Sequence, residues 1–340
     1  MLTKTTPSPS YDELEQRACA NNIPVYAQLE LTYRCNLNCA HCYIVAKANK
    51  KELTTEEIKE VLDQLADLGT LYLALTGGEI FLRDDFFDIA AYARKKSFAL
   101  RLFTNATLIT EEITEKIFDI KPLFVEISLY GFTAEVHEAI TRTPGSFFRT
   151  IGAIKQLRKL GINVAVKTMA LNTNFAELSQ IKQFAQSLGA DFRADAVIMP
   201  KVNGAKAPLK FRLDDENLFW YFKEVNSYWK PKEFNPNSPI CNAGKGVLTI
   251  NPFGQVYPCI RIPIEAGNIR QHSLQDIWKE SYAMQKIREL SWSKLKLCAA
   301  CQDINYCNPC PGLALIEHGD ILSPAAECCR QAKARQATLK

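Results

Sequence analysis

At 340 residues the chain is long for one common domain and short for three, which fits one large α/β domain with a smaller module. It is 47% hydrophobic, and 41 basic residues against 37 acidic leave a formal charge of +4, a balance that exerts no general pull toward nucleic acid or an anionic membrane surface. No apolar run approaches the roughly 18 residues needed to span a bilayer, and the polar N-terminus lacks a signal-peptide core, so a cytoplasmic location is expected.

Residues 1–24 read as an N-terminal extension. From 25 to 200, short β-type runs alternate with amphipathic segments. Strands are predicted at 27–32, 71–76, 99–104, 123–128, 163–169 and 191–198. Helices are predicted at 54–68, 84–95, 111–118, 147–160 and 175–188. The first helix places Ile58, Val61, Leu62, Leu65 and Leu68 on one face behind a Thr54/Glu57 capping box. Six βα units in order imply a parallel sheet, because each crossover helix returns the chain to the same end. Six are fewer than the eight of a closed barrel, so an open (β/α)6 partial TIM barrel fits best, with a doubly wound sheet as the alternative. In both folds, ligands bind at the loops that follow the strands. Residues 201–240 read as a linker followed by a polar helix at 214–228. From Cys241 onward the periodicity fades and eight of the twelve cysteines appear, as in a module at 241–330 held by metal more than by a core. Residues 331–340 read as a solvated tail, its Arg335 and Lys340 included.

Twelve cysteines without an export signal point to metal ligation rather than disulfides. Cys35, Cys39 and Cys42 lie in one loop after the first strand and are followed by Tyr43. A four-iron cluster ordinarily takes four cysteines, so three with no fourth nearby leave one iron open to a ligand. Zinc, the alternative, recruits paired Cys or Cys/His modules, and only His41 stands close. At the end of the second strand, Gly77, Gly78 and Glu79 offer a backbone that can approach a ligand and a carboxylate that can accept from an ammonium.

Triplet and Gly-Gly-Glu together resemble the signature of radical S-adenosylmethionine (SAM) enzymes. The resemblance implies a [4Fe–4S] cluster on Cys35, Cys39 and Cys42 whose open iron chelates SAM, with Tyr43 in the cofactor site and Gly77, Gly78 and Glu79 holding the methionine ammonium. Reductive cleavage would then give a 5′-deoxyadenosyl radical that abstracts a substrate hydrogen. Asn105, closing the third strand, and Ser128, closing the fourth, match segments that contact SAM. Arg142 is a candidate partner for its carboxylate.

The later cysteines resemble the SPASM extension of these enzymes, which holds two auxiliary iron–sulfur clusters. The resemblance assigns Cys298, Cys301, Cys307 and Cys328 to one cluster and Cys241, Cys259 and Cys310 to the other. Two departures from the pattern leave the second cluster one cysteine short. Two residues rather than three separate Cys307 from Cys310, and none of residues 242–248 is cysteine. Cys329, another side chain, the substrate, or nothing would complete it.

SPASM-bearing enzymes mostly modify ribosomally made peptides, so the expected substrate is a peptide, with a reductant such as flavodoxin or ferredoxin. Ile260 and Arg261, after Cys259, replace the acid that sulfatase-maturing relatives carry. Only 34 residues precede Cys35, so leader-peptide recognition would fall to a separate protein or to the barrel. A tetrapyrrole or haem-pathway enzyme shares the layout, and a non-catalytic iron–sulfur or zinc protein is the alternative of another class.

Overall fold

The computed structural model describes residues 11–45, 50–227 and 229–339. Six strands, β1 (Tyr26–Thr32), β2 (Tyr72–Gly77), β3 (Ala99–Thr104), β4 (Phe124–Ser128), β5 (Val164–Met169) and β6 (Asp191–Asp195), pair in parallel and in sequence order. A doubly wound sheet reverses its strand order at a switch point, and these six strands do not, which excludes that alternative. Their connecting helices bury the outward residues of the strands: Leu29, Leu75, Leu102, Ile127 and Val166 pack in one core with Ile58, Leu62, Ile89, Ile154 and Ile181. The residues between them on each strand face the lumen, following the two-residue repeat of a strand.

The predicted helices are present as α2 (Thr55–Asp67), α3 (Phe86–Lys95), α4 (Glu111–Ile120), α6 (Ser146–Lys159) and α7 (Leu178–Ser187). The Thr54/Glu57 capping box forms in both directions, at 3.2 and 2.8 Å. Two further helices were not expected: α1 (Tyr11–Ala20), inside the N-terminal extension, and α5 (Ala134–Thr141), capped by the Thr133 hydroxyl. The first ten residues of that extension lie outside the described ones. The expected helix at 214–228 is α8 (Asp215–Trp220) running into a wide turn over Tyr221–Val225, and Tyr228 lies outside the described residues.

The sheet crosses the boundary expected near 240. Strand β7 (Val247–Ile250) pairs parallel to β1, and β8 (Gln255–Tyr257) and β9 (Gly267–Asn268) follow antiparallel. The C-terminal module also contributes to the core: α9 (Leu274–Glu280) and α10 (Tyr282–Arg288) send Leu274, Ile277, Trp278 and Met284 into it. Ala243, Ile262, Ile287, Leu290 and Ile321 form a second cluster against Cys241 and Cys259. After the short α11 (Lys296–Ala299), α12 (Pro311–His318) and α13 (Ala326–Ala337) close the chain. Helix α13 absorbs most of the expected tail, and Arg335 is buried, 4.5 Å above the Phe222 ring and 5.2 Å from that of Trp229.

Candidate active site

The loop carrying Cys35, Cys39 and Cys42 leaves β1 at the end of the sheet where the strand-following loops gather. Its position is set by backbone bonds. The Gly78 and Glu79 N–H groups donate to the Thr32 and Arg34 carbonyls at 2.7 and 2.9 Å. On the far side, the Asn38 and Ala40 N–H groups donate to the Thr141 and Ile140 carbonyls at the end of α5. A Cβ on Gly78 would stand 2.1 Å from the Arg34 carbonyl oxygen, and one on Gly77, whose φ is +123°, 2.3 Å from that of Thr32. The glycine pair is therefore required by close approach to the thiol loop itself, and not only by approach to a ligand.

Glu79 departs from its expected role of meeting an ammonium directly. Its side chain is fully enclosed and already accepts from the Thr104 hydroxyl at 2.7 Å, the Asn105 N–H at 2.8 Å and the Phe81 N–H at 3.3 Å. Burial pushes its pKa up to about 7 against these donors. Glu79 thus ties the loop after β2 to the loop after β3, and Asn105 extends that tie to the thiols. The Asn105 amide donates to Asn36 at 2.9 Å and lies 3.8 Å from the Cys35 sulfur.

Tyr43 also turns inward. Its hydroxyl donates to Glu30 at 2.7 Å, as the Tyr33 hydroxyl does at 3.0 Å, and burial lifts Glu30 to about 7. Ser128, half-buried at the end of β4, stands beside Tyr130, whose ring lies 4.6 Å from that of His41. His41 is half-buried: its Nδ1 is enclosed without a partner, and burial pulls its pKa down to about 4. Arg142 is exposed in a left-handed cap after α5, within electrostatic reach of Cys39.

Below the loop the lumen is polar. Glu126, with its side chain fully enclosed, pairs with Arg101, with Arg193 at 3.1 Å and with Lys167 at 3.2 Å. The Lys167 ammonium lies 4.3 Å from the Phe103 ring centroid. At the end of β6, Asp195 pairs with Arg261, two residues after Cys259, so the C-terminal module stands at the mouth of the barrel. Val197 and Met199 pack there against the cluster of Leu313, Ala314, Ala325 and Cys328, as Cys307 and Cys310 do.

Cys241, Cys259 and Cys310 converge because α12 begins flush against the turn after Cys259, where a Cβ on Gly312 would meet the Arg261 carbonyl oxygen at 1.9 Å. Burial, with Cys259 and Cys310 beside it, pushes Cys241 up to about 12. Burial and the neighbouring thiols Cys42 and Cys35 do the same to Cys39. Crowded buried thiols of this kind ionise only against compensating positive charge, which an iron core supplies. Among the described residues no three His, Cys, Asp or Glu side chains converge tightly enough for a single metal ion. Iron–sulfur clusters space their ligands more widely than a single ion does, so this does not count against thiol ligation of a cluster.

A partial barrel that clips a three-thiol loop over its mouth, with a cysteine-rich module beside it, defines an iron–sulfur enzyme class. Residues 29–185 match the radical SAM superfamily and residues 241–302 match SPASM, an iron-sulfur cluster-binding domain. The AdoMet-dependent heme synthase of Methanosarcina barkeri is 30% identical over 338 residues, covering 90% of this chain and 97% of that protein. The antilisterial bacteriocin subtilosin biosynthesis protein AlbA of Bacillus subtilis is 31% identical over 306 residues, 85% of this chain and 67% of that one. Streptococcus suis SuiB bound to S-adenosylmethionine superposes with a TM-score of 0.74 at 17% identity, over 95% of this chain and 84% of that one, a likeness of fold. The chain belongs to the radical SAM superfamily and carries a SPASM domain. It is an enzyme whose cofactors are SAM and iron–sulfur clusters. No helix among the described residues is long and apolar enough to cross a membrane.

Sequence reasoning missed four contributors. The carbonyls at the end of α5 hold the thiol loop, Glu30 anchors Tyr43, Gly312 seats Cys310, and buried Arg335 lies near Cys307 and favours its thiolate. Only Gly312 had a signal, the Cys-Pro-Gly run that starts α12.

Proposed function

We propose that the enzyme removes a hydrogen atom from a residue of a ribosomally made peptide or protein held at the barrel mouth, leading to a crosslink, an oxidation or a backbone excision. The observation that carries this reading is the thiol loop clipped over a polar lumen, with the SPASM module forming a second wall at Asp195 and Arg261. In this reading Cys35, Cys39 and Cys42 hold the SAM-binding cluster, the backbone at Gly77 and Gly78 lies along the methionine end, and Asn105 and Ser128 line the cofactor. Glu79 and Tyr43 fix the loop from beneath. When bound, the cluster and SAM supply the hydrogen abstraction, while the chain orients the substrate and keeps water out. Similarity to AlbA supports the peptide, and a protein reductant such as flavodoxin or ferredoxin and a separate leader-recognition protein complete the reading.

One feature of the lumen favours a second reading, a carboxylate-bearing tetrapyrrole. Arg101, Lys167 and Arg193 gather around the carboxylate of Glu126, Arg193 also pairing with Asp191 at 3.3 Å, and a substrate carboxylate is a natural further partner for these cations. Similarity across 97% of the heme synthase agrees with it. Anaerobically reconstituted protein, supplied with SAM and dithionite, tests both through 5′-deoxyadenosine release and mass spectrometry of the substrate. A mass change on a small peptide supports the first reading, one on a porphyrin supports the second, and 5′-deoxyadenosine formation stimulated by neither overturns both.

A further inference from the structure

Cys328 and Cys329 are adjacent at the start of α13, so their side chains project about 100° apart around the helix. Neighbours on a helix do not face each other. The surroundings of the two thiols differ accordingly.

Cys329 belongs with three others. Cys298 lies within electrostatic reach of Cys329 and Cys301, Cys307 within reach of Cys329, Cys298 and Cys301, and Cys329 within reach of Cys301. Every pair among these four thiols is thereby in range. Cys298, Cys307 and Cys329 also line one recess. Cys328 lines that recess too, together with Cys310. Cys328 is 8% exposed and packs in a cluster with Leu313, Ala314 and Ala325, against which both Cys307 and Cys310 lie. Its sulfur accepts from the Cys310 backbone N–H, and its foremost thiol neighbour is Cys310, ahead of Cys307. Cys310 in turn is within reach of both Cys241 and Cys259, which also reach each other.

We propose that these adjacent cysteines serve different clusters: Cys329 is the fourth thiolate of the cluster held by Cys298, Cys301 and Cys307, and Cys328 is the fourth thiolate at Cys241, Cys259 and Cys310. This reverses the role the sequence pattern gives Cys328, and it supplies the ligand that seemed to be missing. It rests on the SPASM domain holding two clusters and is independent of the substrate. Each thiol gives up its proton as its sulfur binds iron, with no change of oxidation state. One helix then ties both clusters together, so displacing α13 would disturb both.

The test uses the full chain with Cys35, Cys39 and Cys42 changed to Ala, so that only auxiliary clusters are read. Anaerobic reconstitution of this parent should give about eight irons, from two four-iron clusters. In that background Cys329→Ala should fall to about four, losing one of the two electron paramagnetic resonance signals and keeping the other unshifted. Cys328→Ala should leave the Cys329-dependent signal intact while shifting the other signal and making it respond to added thiol, because one of its irons then lacks a protein ligand. If Cys328→Ala erases the signal that Cys329→Ala was expected to erase, and Cys329→Ala leaves both intact, the assignment is overturned. Both signals unchanged in Cys328→Ala would overturn the Cys328 half. Cys328→Ser and Cys329→Ser, close in shape and offering oxygen to iron, should each shift the same signal as the corresponding alanine variant. A serine variant that shifts the opposite signal overturns the proposal even if the alanine proteins fail to fold.

Discussion

The barrel mouth and the C-terminal module are both cysteine sites, yet they are built in opposite ways. The barrel thiols come from one loop of eight residues, held on both flanks by backbone bonds from Gly78, Glu79, Asn38 and Ala40. The C-terminal thiols are scattered from Cys241 to Cys329 and come together through the packing of separate turns and helices. The first geometry is held by backbone bonds to the ends of neighbouring elements. The second depends on small apolar clusters, so there iron binding and folding share one free energy.

The largest expected effect lies in the barrel. Changing Cys35, Cys39 or Cys42 to Ala should lower 5′-deoxyadenosine formation by more than roughly 1,000-fold while leaving auxiliary iron in place, as read by single-turnover assay and iron analysis. Equal loss of auxiliary iron would break the contrast between the two regions.

Two glycines sharpen it, since each would bring a Cβ against a backbone carbonyl, at 2.1 Å for Gly78 and 1.9 Å for Gly312. Gly78→Ala should push the thiol loop off the barrel and cost about 100-fold in SAM cleavage, the scale of a misplacement near 1 Å, with auxiliary spectra unchanged. Gly312→Ala should do the reverse, lifting Cys310 away from Cys259 and losing auxiliary iron while the SAM-binding cluster remains. Stripping iron from the wild type should then lower the melting temperature by on the order of 10 °C, with limited proteolysis cutting first between residues 240 and 330. First cuts within β1 to β6 would count against a preformed barrel.

The six strands were legible because their outward faces are runs of Leu, Ile and Val bounded by turn residues, and the triplet because its three cysteines fall within eight residues. Other features were hidden for physical reasons. Helix α5 is two turns long and its seat for the thiol loop is made of carbonyls, which any sequence possesses. The run at 247–250 looks like loop amid Pro, Gly and Cys until it is seen paired to β1. Burial of Glu79 and Arg335 comes from tertiary packing, and charged residues read as solvated by default. Spacing cannot separate Cys328 from Cys329. Only the turn of a helix can.

The smallest expected effect isolates the barrel from the clusters altogether. Glu30 is 3% exposed, and burial raises it from 4.5 to about 7 although the Tyr43 and Tyr33 hydroxyls pull the other way. A carboxyl raised in the folded state binds its proton more tightly there than in the unfolded chain. Its stabilising contribution is therefore complete below about pH 4.5, declines as pH rises, and is lost through about pH 7. Above that, folding must bury a carboxylate with two phenol donors and no cation. Glu30→Gln keeps the shape and cannot ionise, so its melting temperature should stay near the wild-type value at pH 5 and exceed it by roughly a few degrees at pH 8. Glu79, also near 7, contributes a slope of the same sign, which leaves the flattening partial. Parallel pH curves for the two proteins would mean that Glu30 is already ionised in the fold. The buried hydroxyls of Tyr33 and Tyr43 would then outweigh desolvation, and the loop's anchor beneath Cys42 would be ionic rather than neutral.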